Sequence, residues 1–463
     1  MNLKDLEEKH IHLIGVGGIG MSGIAQLLVQ RGHQISGSDL SLNGNTERLE
    51  KKGVQIILGH DPLTLEGKDI IVVSTDIKED NPEFGEARIR GLPILHRTEM
   101  LALLMEGYRG IAISGTHGKT TTTALMGWVL EIAGFDPTII NGGVMNAWES
   151  NVKAGEGRWC VAEADESDGS FLKIPREIAL VTNIDPEHMD HYESLEKLYG
   201  AFETFTTQFH SEGVAILGID HPQVYALWQK IKSRQQCTTY GLHPEADVRA
   251  ENIHTTQEGV VFDLVREEAR FKMSLALFGH HNVLNALGVA ATAFKCGLEE
   301  DVLEKAFASF AGVQRRFTRV GDWQGVVIID DYAHHPVEIR ATLAAAKGAT
   351  KGRVIAILEP HRYSRLTHHF QDFSTCCEGA DLTIVLPVYG ARETPREGIN
   401  HKALVNAMKG EVYCCDVPED LPQLVRNLAR SGDMVICLGA GSISGLARAL
   451  PMQLNESYPS ICA

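Results

Sequence analysis

The sequence predicts an α/β protein built of three units in series, and three observations carry that prediction. Its 463 residues make about three domains at roughly 150 residues each. Short apolar runs alternate with helix-period stretches, the signature of parallel sheets. The alternation restarts near residues 108 and 317, and strand-to-helix glycine turns recur at Gly15–Gly20, Gly115–Gly118 and Gly439–Ser442. No repeat of fixed period and no low-complexity linker interrupts the pattern.

Composition narrows the function classes. Apolar residues make up 44% and charged residues 22%, a globular balance that argues against global disorder. Asp and Glu (60) exceed Lys and Arg (43), for a dispersed net charge of −17. Such a surface argues against nucleic acid and anionic membranes as partners. It leaves room for a small anion met by local amides and one lysine. Met1–His10 has no apolar signal core, and no stretch reaches the roughly 18 apolar residues of a membrane span. The nine cysteines form no C-x-x-C. The adjacent pairs Cys376–Cys377 and Cys414–Cys415 lack His or Cys partners at zinc spacing and read as reduced thiols. A cytoplasmic protein is the expectation.

In the first unit an apolar strand over His10–Gly15 runs into Gly15-Val-Gly17-Gly18-Ile19-Gly20, then a helical pattern over Met21–Gly32. Glycines there let amides approach a pyrophosphate at a helix N-terminus. Gln34–Ser38 and Ile70–Ser74 read as further strands, and Asp39 stands where an acid holds a ribose. The pattern says nucleotide diphosphate without saying which. The unit ends near Gly107.

The second unit opens with the strand Ile111–Ser114, then Gly115-Thr116-His117-Gly118-Lys119-Thr120-Thr121 and a helix to Ala133, stopped by Gly134 and Pro137. Amides of such a loop cradle phosphate oxygens, Lys119 reaches the β/γ oxygens, and the Thr120 hydroxyl suits Mg²⁺. A general P-loop has glycine five residues before Gly118, where this chain has Ile113. Strands over Trp159–Ala164 and Ile178–Asn183 lead into Glu163-Ala-Asp165-Glu166-Ser-Asp168 and Asp185-Pro-Glu-His188. Strand C-termini converge on the ligand crevice, so Glu163 and His188 are candidate ligands of Mg²⁺ or partners of its waters. A β-rich stretch spans Gly213–Leu277. A buried helix follows over His281–Lys295, with Asn282 and Asn285 on one face. Those amides read a purine edge, or Asn282 caps the helix.

The third unit has strands over Gly325–Asp330, Arg353–Leu358, Leu382–Pro387 and Met434–Leu438. Arg315-Arg316 precedes them. Asp331-Tyr332-Ala-His334-His335 ends one strand, and Pro360-His361-Arg362-Tyr363-Ser-Arg365 the next. Vicinal histidines do not readily share one tetrahedral ion, so cationic groups meeting anions are expected. The tail Asn455–Ala463 is expected to be loose.

With these residues assembled, the chain resembles the Mur ligase family, ATP-dependent amide-forming ligases of peptidoglycan precursor synthesis, over nearly its whole length. The family's loop, Gly-Thr-x-Gly-Lys-Thr/Ser, accounts for Ile113. Glu163-Ala-Asp-Glu-Ser-Asp, Asp331-Tyr-x-His334-His-Pro and Pro360-His-Arg-Tyr-Ser-Arg365 resemble its alanine-adding branch. The resemblance implies a Rossmann-like N-terminal domain (1–107) for a UDP-sugar, a central P-loop ATPase-type domain (108–316) and a Rossmann-like C-terminal domain (317–463) that brings the amino acid. It implies that Gly17, Gly18, Ile19, Gly20, Ser38, Asp39, His60 and Ser74 hold the UDP-sugar. ATP is expected on Gly115–Thr121, Asn282, Asn285, Arg316, Asp331, Tyr332 and His334. Thr120 and Glu163 resemble ligands of one Mg²⁺ and His188 of a second. Lys119, Glu163, His188 and Arg316 are the implied catalytic set; Glu166, His361, Arg362 and Arg365 the implied contacts of substrate carboxylates. The implied reaction joins L-alanine to the lactyl carboxylate of UDP-N-acetylmuramate through an acyl phosphate, in a monomer or homodimer. Several Mur ligases carry a carbamoylated lysine fifteen residues after the histidine; the alanine-adding branch generally lacks it, and here that offset falls on Glu203, a candidate stand-in acid. Three other readings stand beside this one: a tripeptide-recycling ligase, an NAD-dependent dehydrogenase that leaves the second loop unexplained, and a non-catalytic nucleotide-binding scaffold.

Overall fold

A computed structural model describes residues 3–209, 212–391 and 393–456. Three sheets organise them. The first is parallel, with β1 (His10–Ile14), β2 (Gln34–Asp39), β3 (Gln55–Leu58), β4 (Ile70–Val73) and β5 (Ile94–His96) in the order β3-β2-β1-β4-β5.

The second sheet has ten strands: β6 (Arg109–Ser114), β7 (Thr138–Met145), β8 (Ser150–Lys153), β9 (Trp159–Glu163), β10 (Ile178–Val181), β11 (Val214–Gly218), β12 (Cys237–Gly241), β13 (Val248–Thr255), β14 (Val260–Arg266) and β15 (Ala269–Leu275). Their order is β15-β14-β13-β12-β11-β10-β6-β9-β7-β8. The third holds β16 (Thr318–Trp323), β17 (Val326–Asp331), β18 (Val354–Leu358), β19 (Leu382–Val385), β20 (Val412–Cys414) and β21 (Met434–Leu438), in the order β16-β17-β21-β18-β19-β20. Only β16 runs antiparallel in it. This is the three-sheet α/β architecture the sequence predicts.

The central strands are continuous apolar runs because helices cover both faces: every residue of β4, β10, β18 and β21 is buried. Of the strands that sequence reading passes over, β3, β5 and β20 have no buried residue, whereas β7, β8 and β16 bury some of theirs. β3, β5 and β20 lie at sheet edges, where no apolar run is required; in β7 the apolar run is short and broken by Asn141-Gly-Gly143.

The described residues fall into two compact units: Met1–Glu251 with Asp263–Met273 and Leu284–Ala311, and Asn252–Phe262 with Ser274–Val283 and Gly312–Ala463. The first unit takes in two sheets because one core joins them: Leu13, Leu27 and Val72 belong to the same buried cluster as Ala162, Phe171 and Phe202. Phe171 stacks on Phe205 at 5.0 Å and meets Phe202 edge-on at 5.5 Å. Each such ring, fully buried, stabilises by about 1.5–3 kcal/mol. Beside them lies Arg176, 4% exposed. Its guanidinium donates to the carbonyls of Leu172, Ile174, Phe205 and Gln208 at 2.8–3.2 Å. Burial lowers its pKa to about 10, so the charge persists.

In the second unit Ile328, Ile355, Val435 and Leu450 form one core face, and Ile329, Leu343, Leu358 and Ile436 the other. The last helix, Ile443–Asn455, runs through Asn455, where a loose tail is expected; residues 457–463 lie outside the described ones. No helix among the described residues is long and apolar enough to cross a membrane. The eight described cysteines are free thiols.

Candidate active site

Strand β6 ends at Ser114 and the chain turns through Gly115–Gly118 into the helix Lys119–Ile132. Gly118 has φ +85°, and a Cβ there would lie 2.5 Å from Asn285 Oδ1. Only glycine fits this left-handed turn at such close approach. The helix closes on Ala133, with Gly134 at φ +75° just beyond, a glycine stop. The exit of β10 pins the loop: Thr182 Oγ1 donates to the His117 carbonyl at 2.7 Å, and Asn183 Oδ1 accepts from the His117 N–H at 2.8 Å.

The Lys119 ammonium donates to the Gly115 carbonyl (2.6 Å), the Thr116 carbonyl (3.2 Å) and Glu166 (2.9 Å). Its side chain is 14% exposed, that of Glu166 only 1%. Burial works against the ammonium charge, but Glu166, Asp165 and Glu163 outweigh it and hold the lysine pKa above its ordinary value. Burial would also raise Asp165; Lys119, Arg97 and the Ser167 amide hold it at about 2. Thr120 Oγ1 donates to Glu163 Oε1 at 3.1 Å, and the Gly142 N–H donates to Oε2 at 2.7 Å. His188, at φ +57°, brings Nε2 within 3.9 Å of Glu166 Oε1. Lys119, Thr120, Glu163, Glu166 and His188 therefore form one cluster, and Asn285 stands at its glycine edge. The hydroxyl and carboxylate oxygens of Thr120 and Glu163 are the hard donors Mg²⁺ takes, so the residues fit that ion.

The first glycine loop is built differently. Gly15 and Val16 donate their N–H groups to the Ser38 carbonyl at 2.8 and 3.0 Å. The Gly17 N–H donates to Asp39 Oδ2 at 2.9 Å, and Asn45 Nδ2 donates to the Gly17 carbonyl at 2.7 Å. Gly18 caps the helix Ile19–Gln30, which contains Gly20, and the Ile19 carbonyl accepts from Asn151 at 2.9 Å. Below the loop, Ser38 Oγ and Thr64 Oγ1 donate to Glu83, His60 Nδ1 lies 2.9 Å from Glu83 Oε2, and His12 Nε2 lies 3.6 Å from Oε1. Burial would raise Glu83, yet His12, Ser38 and Thr64 hold it at about 2. Ser74 lies at the exit of β4, beside Gly15.

Sequence reasoning missed what connects the two loops. Thr75 Oγ1 donates to Asp168 Oδ2 at 2.5 Å, Arg97 Nη2 donates to Asp165 at 3.0 Å, and Thr98 Oγ1 bonds Ser170 Oγ at 2.8 Å. The usable signal is position, since Thr75 and Arg97 follow the ends of β4 and β5.

The second unit gathers the C-terminal candidates. Arg315 and Arg316 place their guanidinium carbons 4.6 and 5.2 Å from the Tyr332 ring centre. Asp331 is buried; its carboxylate accepts from the Phe317 and Ala333 N–H groups at 2.7 and 2.8 Å. Burial raises its pKa against the pull of Arg316. His334 Nδ1 lies 2.9 Å from the Tyr332 carbonyl, and its ring meets His361 edge-on at 5.8 Å. His361 stacks on Tyr389 at 5.5 Å. Arg365 Nη1 lies 3.2 Å from His361 Nδ1, and Arg362, at φ +69°, donates its N–H to the Tyr389 carbonyl at 2.8 Å.

Four expectations change. His361 is held at about 3, first by burial and then by His334, Arg365 and Arg362, so in the open site it is a neutral imidazole and not a standing cation. Glu166 faces Lys119 instead of a substrate carboxylate, which its own charge would repel. Glu203 lies outside the cluster, ion-paired with Lys230 at 2.5 Å and with Arg234. The helix starts at His280, so Asn282 is not its cap; Nδ2 donates to the Phe278 carbonyl at 2.8 Å. His335 is the true cap of its own helix, Pro336–Ala349, in a capping box with Glu338.

Comparison with known proteins gives three family matches along the chain: the Mur ligase family catalytic domain over residues 10–109, the Mur ligase middle domain over 113–293, and the Mur ligase glutamate ligase domain over 315–441. A Xanthobacter autotrophicus protein named UDP-N-acetylmuramate–L-alanine ligase is 47% identical, covering 97% of this chain and 98% of that one. A Sinorhizobium fredii protein of the same name is 47% identical over 96% and 97%. Among solved structures, UDP-N-acetylmuramate-alanine ligase of Thermotoga maritima superposes with a TM-score of 0.83 at 26% identity, over 96% of this chain and 99% of that one. A murein peptide ligase of Psychrobacter arcticus shares the fold at a TM-score of 0.71 and 23% identity, over 97% and 100%.

Proposed function

The chain belongs to the Mur ligase family, and on that footing we propose that it is the ATP-dependent ligase joining L-alanine to UDP-N-acetylmuramate in peptidoglycan precursor synthesis. The observation that carries this reading is the 47% identity, over 97% of the chain, to a protein of that name. The lactyl carboxylate attacks the γ-phosphorus, its bond to ADP breaks, and an acyl phosphate forms. The neutral amine of L-alanine then attacks the acyl carbon, phosphate leaves with the electron pair of the acyl C–O bond, and the nitrogen gives up a proton to a base.

Two anions must approach in the first step. Two unit charges 4 Å apart repel by about 4 kcal/mol at an effective dielectric of 20. Lys119, held charged by its carboxylate neighbours, and Arg316 offset that repulsion and stabilise charge on the transferring phosphoryl group. Bound Mg²⁺, on Thr120 and Glu163 with His188 at a second ion, supplies further neutralisation of the phosphates. Asn285 and Asn282 read the adenine, and Tyr332 and His334 reach the nucleotide. Asp331, its oxygens on backbone N–H groups, holds the turn that presents them. Gly17, Gly18, Ile19, Gly20, Ser38, Asp39, His60 and Ser74 hold the UDP-sugar, and His361, Arg362 and Arg365 the carboxylates of substrate or product.

The same reading assigns residues 1–107, 108–316 and 317–463 to sugar nucleotide, ATP and amino acid, in a cytoplasmic monomer or homodimer. The test is phosphate release with UDP-N-acetylmuramate, ATP and, in turn, L-alanine, L-serine, glycine and the muropeptide-derived tripeptide. Turnover is expected with L-alanine; turnover with the tripeptide alone overturns the assignment in favour of a recycling ligase.

A further inference from the structure

Strand β20 is the edge of the third sheet, and its last residue, Cys414, pairs in register with Val385 of β19. The next residue, Cys415, donates its N–H to the Val385 carbonyl at 3.0 Å and turns inward, 4% exposed. Alternation along a strand therefore sends Cys414 outward, and it is exposed. There it meets His401, the first residue of the helix His401–Ala407, whose start is fixed by the Asn400 side chain. Asp416 completes the group: His401 Nε2 lies 2.8 Å from Asp416 Oδ1, and Cys414 Sγ lies 3.3 Å from the same oxygen. All three ligand atoms lie within 4.8 Å of one another.

We propose that His401, Cys414 and Asp416 form a binding site for a thiophilic divalent cation of the Zn²⁺ kind, separate from the nucleotide site. Tetrahedral Zn²⁺ with bonds of about 2.0–2.3 Å to N, O and S sets ligand–ligand edges of roughly 3.3–3.5 Å. The observed separations need only small side-chain adjustments to reach them. An imidazole, a thiolate and a carboxylate select Zn²⁺ over Mg²⁺, which avoids sulfur. The second carboxylate oxygen is already held: Lys402 Nζ lies 2.9 Å from Asp416 Oδ2. Outer partners of this kind aim the other oxygen at the ion. Binding breaks the Cys414 S–H bond; the proton leaves to solvent and the sulfur lone pair goes to the cation. Water fills the fourth position. The ion clamps the start of the 401–407 helix to the sheet edge.

The experiment titrates Co²⁺ into the reduced full-length chain and follows thiolate-to-cobalt charge transfer in the near ultraviolet. One equivalent is expected to give the band, Zn²⁺ to displace it, and Cys414→Ser to lack it. His401→Ala is expected to weaken Co²⁺ binding by more than about tenfold. Zn²⁺ is expected to raise the melting temperature of the wild type and not that of Cys414→Ser. Retained Mg²⁺-supported ligation in Cys414→Ser, outside the catalytic machinery, shows that its fold is intact. Absence of the band in the wild type, or an unchanged band in Cys414→Ser, overturns the proposal.

Discussion

Two loops in the first unit share one idiom, an apolar strand that turns through glycines into a helix, and they are electrically opposite. In the first, a carboxylate comes to the backbone: Asp39 accepts the Gly17 N–H, and no lysine stands at the helix start. In the second, a cation sits at the helix start and three acids surround it. A loop whose Gly15, Val16 and Gly17 amides are already donated to Ser38 and Asp39 presents an acid that suits neutral hydroxyls. A loop that offers an ammonium held in place suits a phosphoryl group on which charge develops. Glycine spacing thus marks where a nucleotide can sit; the charge beside it marks whether chemistry follows.

Substitutions that separate binding from turnover sharpen this contrast. The largest effect is expected from Lys119→Ala: alanine-dependent ADP release falls by a factor on the order of 10³, while the far-ultraviolet dichroism stays native. Glu163→Gln removes a charged oxygen from the pair with Thr120 and is expected to cost on the order of 10² in kcat, with a steeper Mg²⁺ dependence in the same assay. Asp39→Ala, in the other loop, is expected to raise KM for the UDP-sugar by about 10-fold and to leave kcat and KM for ATP within about twofold. A kcat loss in Asp39→Ala as deep as that in Lys119→Ala would erase the distinction.

A separate effect, on folding and not on turnover, concerns stability under the first loop. Glu83 titrates near 2 in the folded protein, below its ordinary 4.5. Its carboxylate therefore stabilises the fold fully above about pH 4.5, and the contribution disappears as pH falls towards 2. Glu83→Gln is expected to lower unfolding free energy at pH 7 by about 3 kcal/mol, measured by urea titration, and the gap to the wild type should close in acid.

The buried strands that form unbroken apolar runs were legible, and so was the second loop, because its lysine and threonines follow such a run; β7, half buried but broken by Asn141-Gly-Gly143, was not. The edge strands were not, since β3 and β20 bury nothing. His188 was legible from its place after β10, but the company of Glu166 was not. A carboxylate reads the same in sequence whether it faces substrate or a lysine, and only the 2.9 Å contact decides. The neutrality of His361 was hidden for a related reason: the charges that suppress its protonation include His334, twenty-seven residues away. Glu203 shows the opposite hazard, a position inferred by offset alone that the structure gives to a surface ion pair.

Arg176 has a consequence for motion. Its guanidinium holds four carbonyls drawn from the turn after Phe171 and from the end of the helix Leu195–Thr207. Releasing that turn strips the buried cation of two of its four acceptors, so opening of the turn and opening of the helix end are energetically coupled. Amide hydrogens through this stretch should then exchange with solvent as one cooperative block, at rates set by a large opening event and not by local fraying. Glu166 lies six residues before this turn and its carbonyl accepts from the Tyr192 hydroxyl at 2.5 Å, so the slowed exchange is expected to reach the acid that holds Lys119.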